Sequence, residues 1–403
     1  MKTHISNKNI ILGVCGGIAA YKSAELLRLL KKEGAGVRVM MTRNACAFVG
    51  PMTFEALSGL PVCTDLFETG RDAPIKHIDW AREADAVVIA PATANIIGKC
   101  AGGIADDALS TLMLAVTQGK IICPAMNTHM YQSGPVQRNL DMLKSDGCFI
   151  VDPGEGELAC GTSGPGRLPE PPEILDRILY CLTPKDMTGR RVLVSAGPTR
   201  EHMDPVRFIS NPSSGKMGYS IARAAEHRGA AVTLVSGPVN LPEPLNMEVI
   251  QVVSAQEMAE AVFEHAEKSD IVIKTAAVAD YRPRETSGQK IKKGTEDEKV
   301  LALQKNPDIL KTLGTRKKNR ILVGFAAETE ALEKHAGKKL AEKNLDIIVG
   351  NIVGPASGFG TDTNQVTLFF RDGTRESLDV MEKDAVAHVL LDRIKGKVKE
   401  LRS

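Results

Sequence analysis

The sequence predicts two α/β domains in succession, each built on a parallel sheet. Three observations carry this. The 403 residues exceed the usual span of one domain. Short apolar runs alternate with helix-length amphipathic segments, the pattern of parallel strands joined by covering helices. All eight cysteines lie at or before Cys181, so the two halves differ in composition. The division falls near residue 187, giving predicted domains 1–187 and 188–403.

In the first half the strands are read at Asn9–Cys15, Val37–Met41, Ala86–Ala90 and Ile121–Cys123, with an amphipathic helix over Ile18–Glu33. The stretch Pro153–Arg167 holds five glycines and two prolines and is expected to be an irregular loop able to close over a site. Ile174–Leu182 reads as the helix that ends the first domain, and Thr183–Gly189 as the linker. The second half opens on a strand at Arg191–Ser195. Further strands are read at Val232–Val235, Val249–Val253, Ile271–Lys274, Ile321–Gly324 and Ile347–Gly350, with helices at Ala255–Lys268 and Ala331–Lys343.

Composition excludes several classes. Hydrophobic residues at 43% and charged residues at 25% describe an ordinary globular chain, not a disordered, collagenous or coiled-coil one. A balance of 51 basic against 49 acidic residues gives no electrostatic case for nucleic-acid binding. No apolar run is long enough for a membrane span, and the polar segment Met1–Asn9 is not a signal peptide. Cysteine spacings fit neither a zinc site nor a secreted disulfide framework, so reduced thiols and a cytoplasmic location are expected.

Parallel sheets bind ligands beyond the carboxyl ends of their strands, so the informative residues follow the strands. Gly16-Gly17-Ile18-Ala19 is a strand-to-helix turn whose N–H groups suit a phosphate. The second strand ends in Thr42-Arg43-Asn44, without the ribose-binding carboxylate of dinucleotide sites, which favours a mononucleotide such as FMN. Pro91-Ala92-Thr93-Ala94-Asn95 is a small-residue loop suited to close ligand approach. Asn127, taken alone, reads as a helix cap or turn residue, and His77 rests on what accompanies it.

In the second half Ser213-Ser214-Gly215 reads as a phosphate cradle or as simple helix capping. Asp280 puts a carboxylate at a ligand edge. Lys290-Ile-Lys-Lys293 lies in a polar run that is a solvated face unless it folds over a polyphosphate.

Gly-Gly-Ile-Ala-Ala-Tyr-Lys22, Ala-Pro-Ala-Thr-Ala-Asn95, Pro-Ala-Met-Asn127 and Gly-Glu-Leu-Ala-Cys160-Gly-Thr-Ser-Gly-Pro-Gly-Arg167 together resemble the flavoprotein cysteine decarboxylases, above all phosphopantothenoylcysteine decarboxylase. Ser-Asn211-Pro-Ser-Ser-Gly-Lys-Met-Gly218, Ala-Ala-Val-Ala-Asp280-Tyr, Lys290-Ile-Lys-Lys and Asn306-Pro-Asp-Ile-Leu310 resemble, in order, the phosphopantothenate–cysteine ligase domain. The whole chain is thus similar to the bifunctional coenzyme A biosynthesis proteins. One departure is Tyr131, where that family usually has Trp.

The resemblance implies two Rossmann-like three-layer domains, an N-terminal FMN-dependent decarboxylase and a C-terminal CTP-dependent ligase. It implies that FMN oxidises the cysteinyl thiol so that the neighbouring carboxylate can leave, with His77 as base, Asn127 on the substrate carboxylate and Cys160 as the final proton donor. FMN is expected at Gly16, Gly17, Ile18, Ala19, Thr42, Pro91, Ala92, Thr93 and Ala94. For the ligase it implies an acyl-cytidylate supported by Asn211, with Lys290 the key loop lysine. CTP is expected at Thr275, Ala276, Asp280, Lys290, Asn306, Pro307, Asp308, Ile309, Phe325, Lys339 and Lys343. Mg2+ is expected on the triphosphate, with no ligand residue named. The implied partners are phosphopantothenate, cysteine and CTP, and the implied assembly is a homo-oligomer, a dodecamer. Rival readings are a flavin-binding regulatory subunit of phosphatases, which needs no catalytic trio, and a peptidyl-cysteine flavoenzyme, which needs no second domain.

Overall fold

The computed structural model describes residues 5–66, 76–157, 161, 163–292, 300–328, 332–352 and 360–400. The chain divides into two compact units, one ending at Thr183 and the other starting at Pro184. In the first, β1 (Asn9–Val14), β2 (Gly36–Met41), β3 (Ala86–Ala92), β4 (Lys120–Pro124) and β5 (Phe149–Ile150) form an all-parallel sheet in the order β2-β1-β3-β4-β5. Successive side chains point to opposite faces. Ile10, Leu12 and Val14 therefore pack on one side with Leu26, Leu27, Leu30, Ile174 and Ile178. Ile11, Val87 and Ile89 pack on the other with Ile96, Leu109, Leu112 and Leu140. Both faces are covered by helices, which is why these strands read as unbroken apolar runs.

The glycine-rich stretch is not the irregular loop expected from its composition. Gly154–Glu157 (β6) and Ser163–Arg167 (β7) pair antiparallel as a two-stranded ribbon. Gly156, Gly164 and Gly166 take φ of 147°, 148° and 136°, extended conformations that only glycine adopts readily. The closing helix begins at Pro171, three residues before the expected start, because its two prolines occupy the first turn where no N–H is needed.

The second unit holds an eight-stranded sheet. Its strands are β8 (Arg191–Ala196), β11 (Ala231–Ser236), β12 (Glu248–Gln251), β13 (Ile271–Lys274), β16 (Ile321–Glu328), β17 (Ile347–Ile352), β19 (Val366–Phe370) and β20 (Arg375–Ser377). Short pairs β9 (Arg200–His202) with β10 (Phe208–Ser210), β14 (Tyr281–Pro283) with β15 (Leu303–Lys305), and β18 (Thr363–Asn364) with β21 (Met381–Glu382) flank it. The main order is β12-β11-β8-β13-β16-β17-β19-β20. It is parallel through β17, but β19 and β20 run antiparallel at the edge, so the expectation of a wholly parallel sheet is corrected. The reversal between β19 and β20 is local. Asp372-Gly373 is a tight-turn pair: Gly373 takes φ 86°, and Asp372 accepts from the Thr374 N–H at 2.9 Å.

Arg228 ties this domain together from a nearly buried position, 2.8 Å from both Asp186 and Asp392. The Arg228 hydrogen bond, working against burial and helped by Lys395, holds the Asp186 carboxyl at about 2. A carboxylate depressed in the folded state stabilises fully above its unfolded value, near 4, and stops doing so as pH falls through 2. Asp186→Asn is therefore expected to cost about 2 kcal/mol at pH 7. In denaturant unfolding the gap from wild type should narrow between pH 4 and pH 2; an unchanged gap would exclude the charge as its source.

Candidate functional sites

Both sheets carry a topological switch point. From β1 the chain goes to β2 on one side, and β3 and β4 then build on the other. The carboxyl ends of β1 and β3 border a cavity of about 880 Å3, lined by Gly16, Gly17, Ile18, Ala19, Thr42, Arg43, Asn44, Pro91, Thr93, Ala94, Asn95, Met126 and Asn127, among others. Every residue expected at the flavin lines it except Ala92, which is fully buried in β3. A Cβ on Gly16 would sit 2.5 Å from the Asn44 Cβ, so the first loop can lie against the end of β2 only because it begins with glycine.

Thr93 caps the helix Ala94–Ala101, accepting from the Ile96 N–H at 3.4 Å. Asn127 caps Thr128–Gln132: its Oδ1 accepts from the His129 N–H at 2.8 Å. The cap and the cavity-lining position coexist in one residue. The ribbon packs on this turn. Met126 N–H donates to the Gly166 carbonyl at 2.9 Å, and a Cβ on Gly166 would come 2.3 Å from the Met126 carbonyl oxygen. Tyr131 packs against the core and is not among the residues lining the cavity. His77 belongs to the helix Lys76–Glu83, but its side chain lies outside the described residues, as does Cys160. The other seven cysteines are free thiols. Burial pushes Cys15 up to about 12 and Cys100 to about 11, which keeps them protonated and unreactive.

In the second domain the switch lies between β8 and β13. Gly218 lets the helix Lys216–His227 press onto both strands; a Cβ there would meet Thr275 Oγ1 at 2.4 Å and Ala196 Cβ at 2.5 Å. Thr275 Oγ1 donates to the Ser195 carbonyl at 2.7 Å. Beyond β13, two asparagines hold the next loop: Asn211 donates to the Val278 carbonyl at 3.0 Å, and Asn306 to that of Ala279 at 2.8 Å. Asp308 caps the helix Ile309–Thr315 and pairs with Lys343 at 2.8 Å. Burial raises the Asp308 carboxyl, but Lys343 and the Lys311 N–H outweigh it and leave it below its usual value. Phe325 packs partly buried on the core.

Two expectations change. Ser213 does not cap the helix; its Oγ accepts from Gly215 N–H at 3.3 Å, and Gly215 itself is the cap residue with φ 74°. Lys343 is the first residue past the helix Leu332–Glu342, which stops one short of the expected end, and its N–H still donates to the Lys339 carbonyl at 3.0 Å.

Lys290 is exposed, and among the described residues no hydrogen bond or ion pair joins it to Asp280, Asp308 or Lys343. Its neighbour is anchored instead. Asp204, with a fully buried side chain, accepts from the N–H groups of Val206, Arg207 and Ile291 at 2.8, 2.8 and 3.1 Å. Burial opposes its charge, and those N–H groups prevail, holding it below the usual range.

A family model described as Flavoprotein matches residues 1–183. One described as DNA/pantothenate metabolism flavoprotein C-terminal domain matches 187–397. The coenzyme A biosynthesis bifunctional protein CoaBC of Bacillus subtilis is 50% identical over 395 residues, 97% of each chain. This chain belongs to the family of bifunctional coenzyme A biosynthesis proteins. The Escherichia coli K12 member is 45% identical, again over 97% of each chain. The crystal structure of a C-terminal domain from this family is 45% identical, covering 54% of this chain and 99% of that one, with a TM-score of 0.47. Full-length membership brings a flavoprotein domain and a ligase domain together, which weighs against a regulatory subunit and against a peptidyl-cysteine flavoenzyme.

Sequence reasoning passed over Asp204. Asp204-Pro-Val-Arg207 is a legible turn signal, an Asp whose side chain can bond the backbone two residues on. Among the described residues no group of three His, Cys, Asp or Glu is placed to hold a metal, and no helix is long and apolar enough to cross a membrane.

Proposed function

We propose that residues 188–403 join cysteine to 4'-phosphopantothenate at the expense of CTP, and that residues 1–187 decarboxylate the product to 4'-phosphopantetheine. The observation that carries this is a chain related over 97% of its length to bifunctional members, with a cavity at the switch point of its first sheet.

The cavity fits FMN. Its volume suits a mononucleotide, the Gly17–Ala19 turn ahead of a helix suits a phosphate, and Arg43 adds a cation. Pro91, Thr93 and Ala94 line it with small side chains that suit a flat ring. When bound, the flavin supplies a two-electron oxidation at the cysteinyl thiol, and so makes the adjacent carboxylate a leaving group, and returns the electrons afterwards. The protein binds and moves protons. Asn127, fixed at the cavity wall by its cap, is placed to bind the departing carboxylate. His77 takes the thiol proton, and Cys160 returns one to carbon.

In the ligase, a phosphopantothenate carboxylate oxygen attacks the α-phosphorus of CTP and pyrophosphate leaves. The cysteine amine then attacks the acyl carbon and CMP leaves. Asn211 and Asn306 fix the loop that precedes Asp280, while Lys290, Lys339 and Lys343 neutralise the triphosphate. Mg2+ rides on the phosphates, with few protein ligands. The protein is read as a cytoplasmic homo-oligomer, a dodecamer of flavin-domain trimers and ligase-domain dimers.

Purified protein given phosphopantothenate, cysteine, Mg2+ and either CTP or ATP should form phosphopantetheine, read by mass spectrometry, efficiently with CTP. Accumulated phosphopantothenoylcysteine would remove the decarboxylase from this reading. No turnover with FMN bound would replace it with a regulatory flavoprotein.

A further inference from the structure

Asp204 is wholly buried, side chain included, and its two carboxylate oxygens serve different segments of the second domain. Oδ1 closes its own turn, accepting from the N–H groups of Val206 and Arg207 at 2.8 Å each. Oδ2 reaches across to the N–H of Ile291 at 3.1 Å and to Arg207 Nη1 at 3.3 Å. The same Nη1 donates to the Ile291 carbonyl at 3.1 Å. Both backbone polar groups of Ile291, the residue next to Lys290, are thus held by one Asp–Arg pair. Two further bonds stitch this segment to the same stretch of chain. Thr286 Oγ1 donates to the His202 carbonyl at 3.1 Å, and the Ser287 N–H to that of Met203 at 2.9 Å. The turn alone needs one acceptor oxygen, which asparagine or serine would supply. A carboxylate taken wholly out of water is costly unless both oxygens are satisfied. Here the second oxygen is satisfied by the Lys290 segment and by a guanidinium that grips the same residue.

We infer that Asp204 is a positioning residue of the ligase: through Ile291 it fixes the backbone from which Lys290 delivers its charge. The inference rests on the proposed role of Lys290 and deepens it. A long, flexible side chain acts on a developing transition state only from a fixed base, and a displacement of about 1 Å removes much of its effect. Asp204→Asn separates the two oxygens. Its amide oxygen keeps the turn, where two N–H groups need it. Its NH2 then meets the Ile291 N–H and Arg207, donor against donor. The segment is released while the turn stays closed.

The test reads the segment and the reaction separately, in the full chain. In hydrogen–deuterium exchange the Ile291 amide should be protected in the wild type and exchange about tenfold faster in Asp204→Asn, with Arg200–Ser210 unchanged. Protection retained at Ile291 would overturn the inference. With phosphopantothenate, cysteine, CTP and Mg2+, Asp204→Asn should slow ligation about tenfold, chiefly through kcat. Decarboxylation of supplied phosphopantothenoylcysteine should keep its rate. Added to Lys290→Gln, the same substitution should slow ligation no further, because the segment then has no lysine to position. Equal loss in both backgrounds would assign the effect to general damage and overturn the inference. Full ligation by Asp204→Asn with Ile291 exchanging freely would overturn it as well. Full ligation by Lys290→Gln alone would sink the proposed role of Lys290 and this inference with it, whereas no ligation by the wild type would sink the ligase reading itself.

Discussion

Lys290→Gln is expected to lower ligation by about a hundredfold or more, while decarboxylation of supplied phosphopantothenoylcysteine proceeds at the wild-type rate. The size follows from removing one preorganised charge from the place where charge develops in the transition state. Selectivity follows from the structure. Lys290 is exposed, so glutamine in its place costs the fold little. The segment keeps its anchor, because Asp204 holds the Ile291 backbone rather than the Lys290 side chain. Glutamine can still donate a hydrogen bond but brings no charge to a triphosphate. Product formation from each half-reaction, followed separately by mass spectrometry, measures both effects. Retained ligation would take Lys290 out of the site. Loss of both activities would mean a damaged fold.

The contrast between Lys290 and Asp204 shows where sequence reading reaches and where it stops. Lys290 stands in a compact motif, legible because its chemistry is contiguous. Asp204 is legible only as a turn residue; its hold on Ile291 joins segments far apart in the chain, which only the fold assembles. The parallel strands were legible for the opposite reason. Helices cover both faces of each sheet, so Ala86–Ala92 is buried at every position and reads as an unbroken apolar stretch. That rule fails at the sheet edge, where β19 and β20 form a hairpin announced only by Asp372-Gly373. It fails also at β6 and β7, whose glycines signal irregularity by composition. Their function is close approach: Gly166 lies against the Met126 carbonyl, and Gly164 would carry a Cβ 2.8 Å from Thr128 Cγ2. Asn127 was legible as a cap from its own chemistry, and its place at the cavity wall followed from its position directly after β4.

Cys160→Ala is expected to stop formation of phosphopantetheine almost completely while leaving ligation intact. Decarboxylation and protonation are separable demands. Carbon dioxide can leave once the carboxylate is held and the thiol carbon is oxidised, and neither needs Cys160. The resulting enethiol must then regain two electrons, which a reduced flavin would supply, and a proton at carbon; a thiol with a pKa of about 8.5 is mostly protonated at neutral pH and suited to give that proton. Alanine has no proton to give. Cys160 falls between β6 and β7 in sequence, and the docked positions of that ribbon, Gly164 and Gly166, lie outside the substitution. The variant should therefore release carbon dioxide and accumulate an unsaturated thiol two mass units below phosphopantetheine. Serine at the same position separates acidity from shape: its hydroxyl fills the space but is a far weaker acid, so it should behave like alanine. Normal phosphopantetheine output from either variant would remove Cys160 from the scheme. Release of neither carbon dioxide nor product, with ligation unaffected, would move the residue to an earlier step, that of closing the site around the substrate.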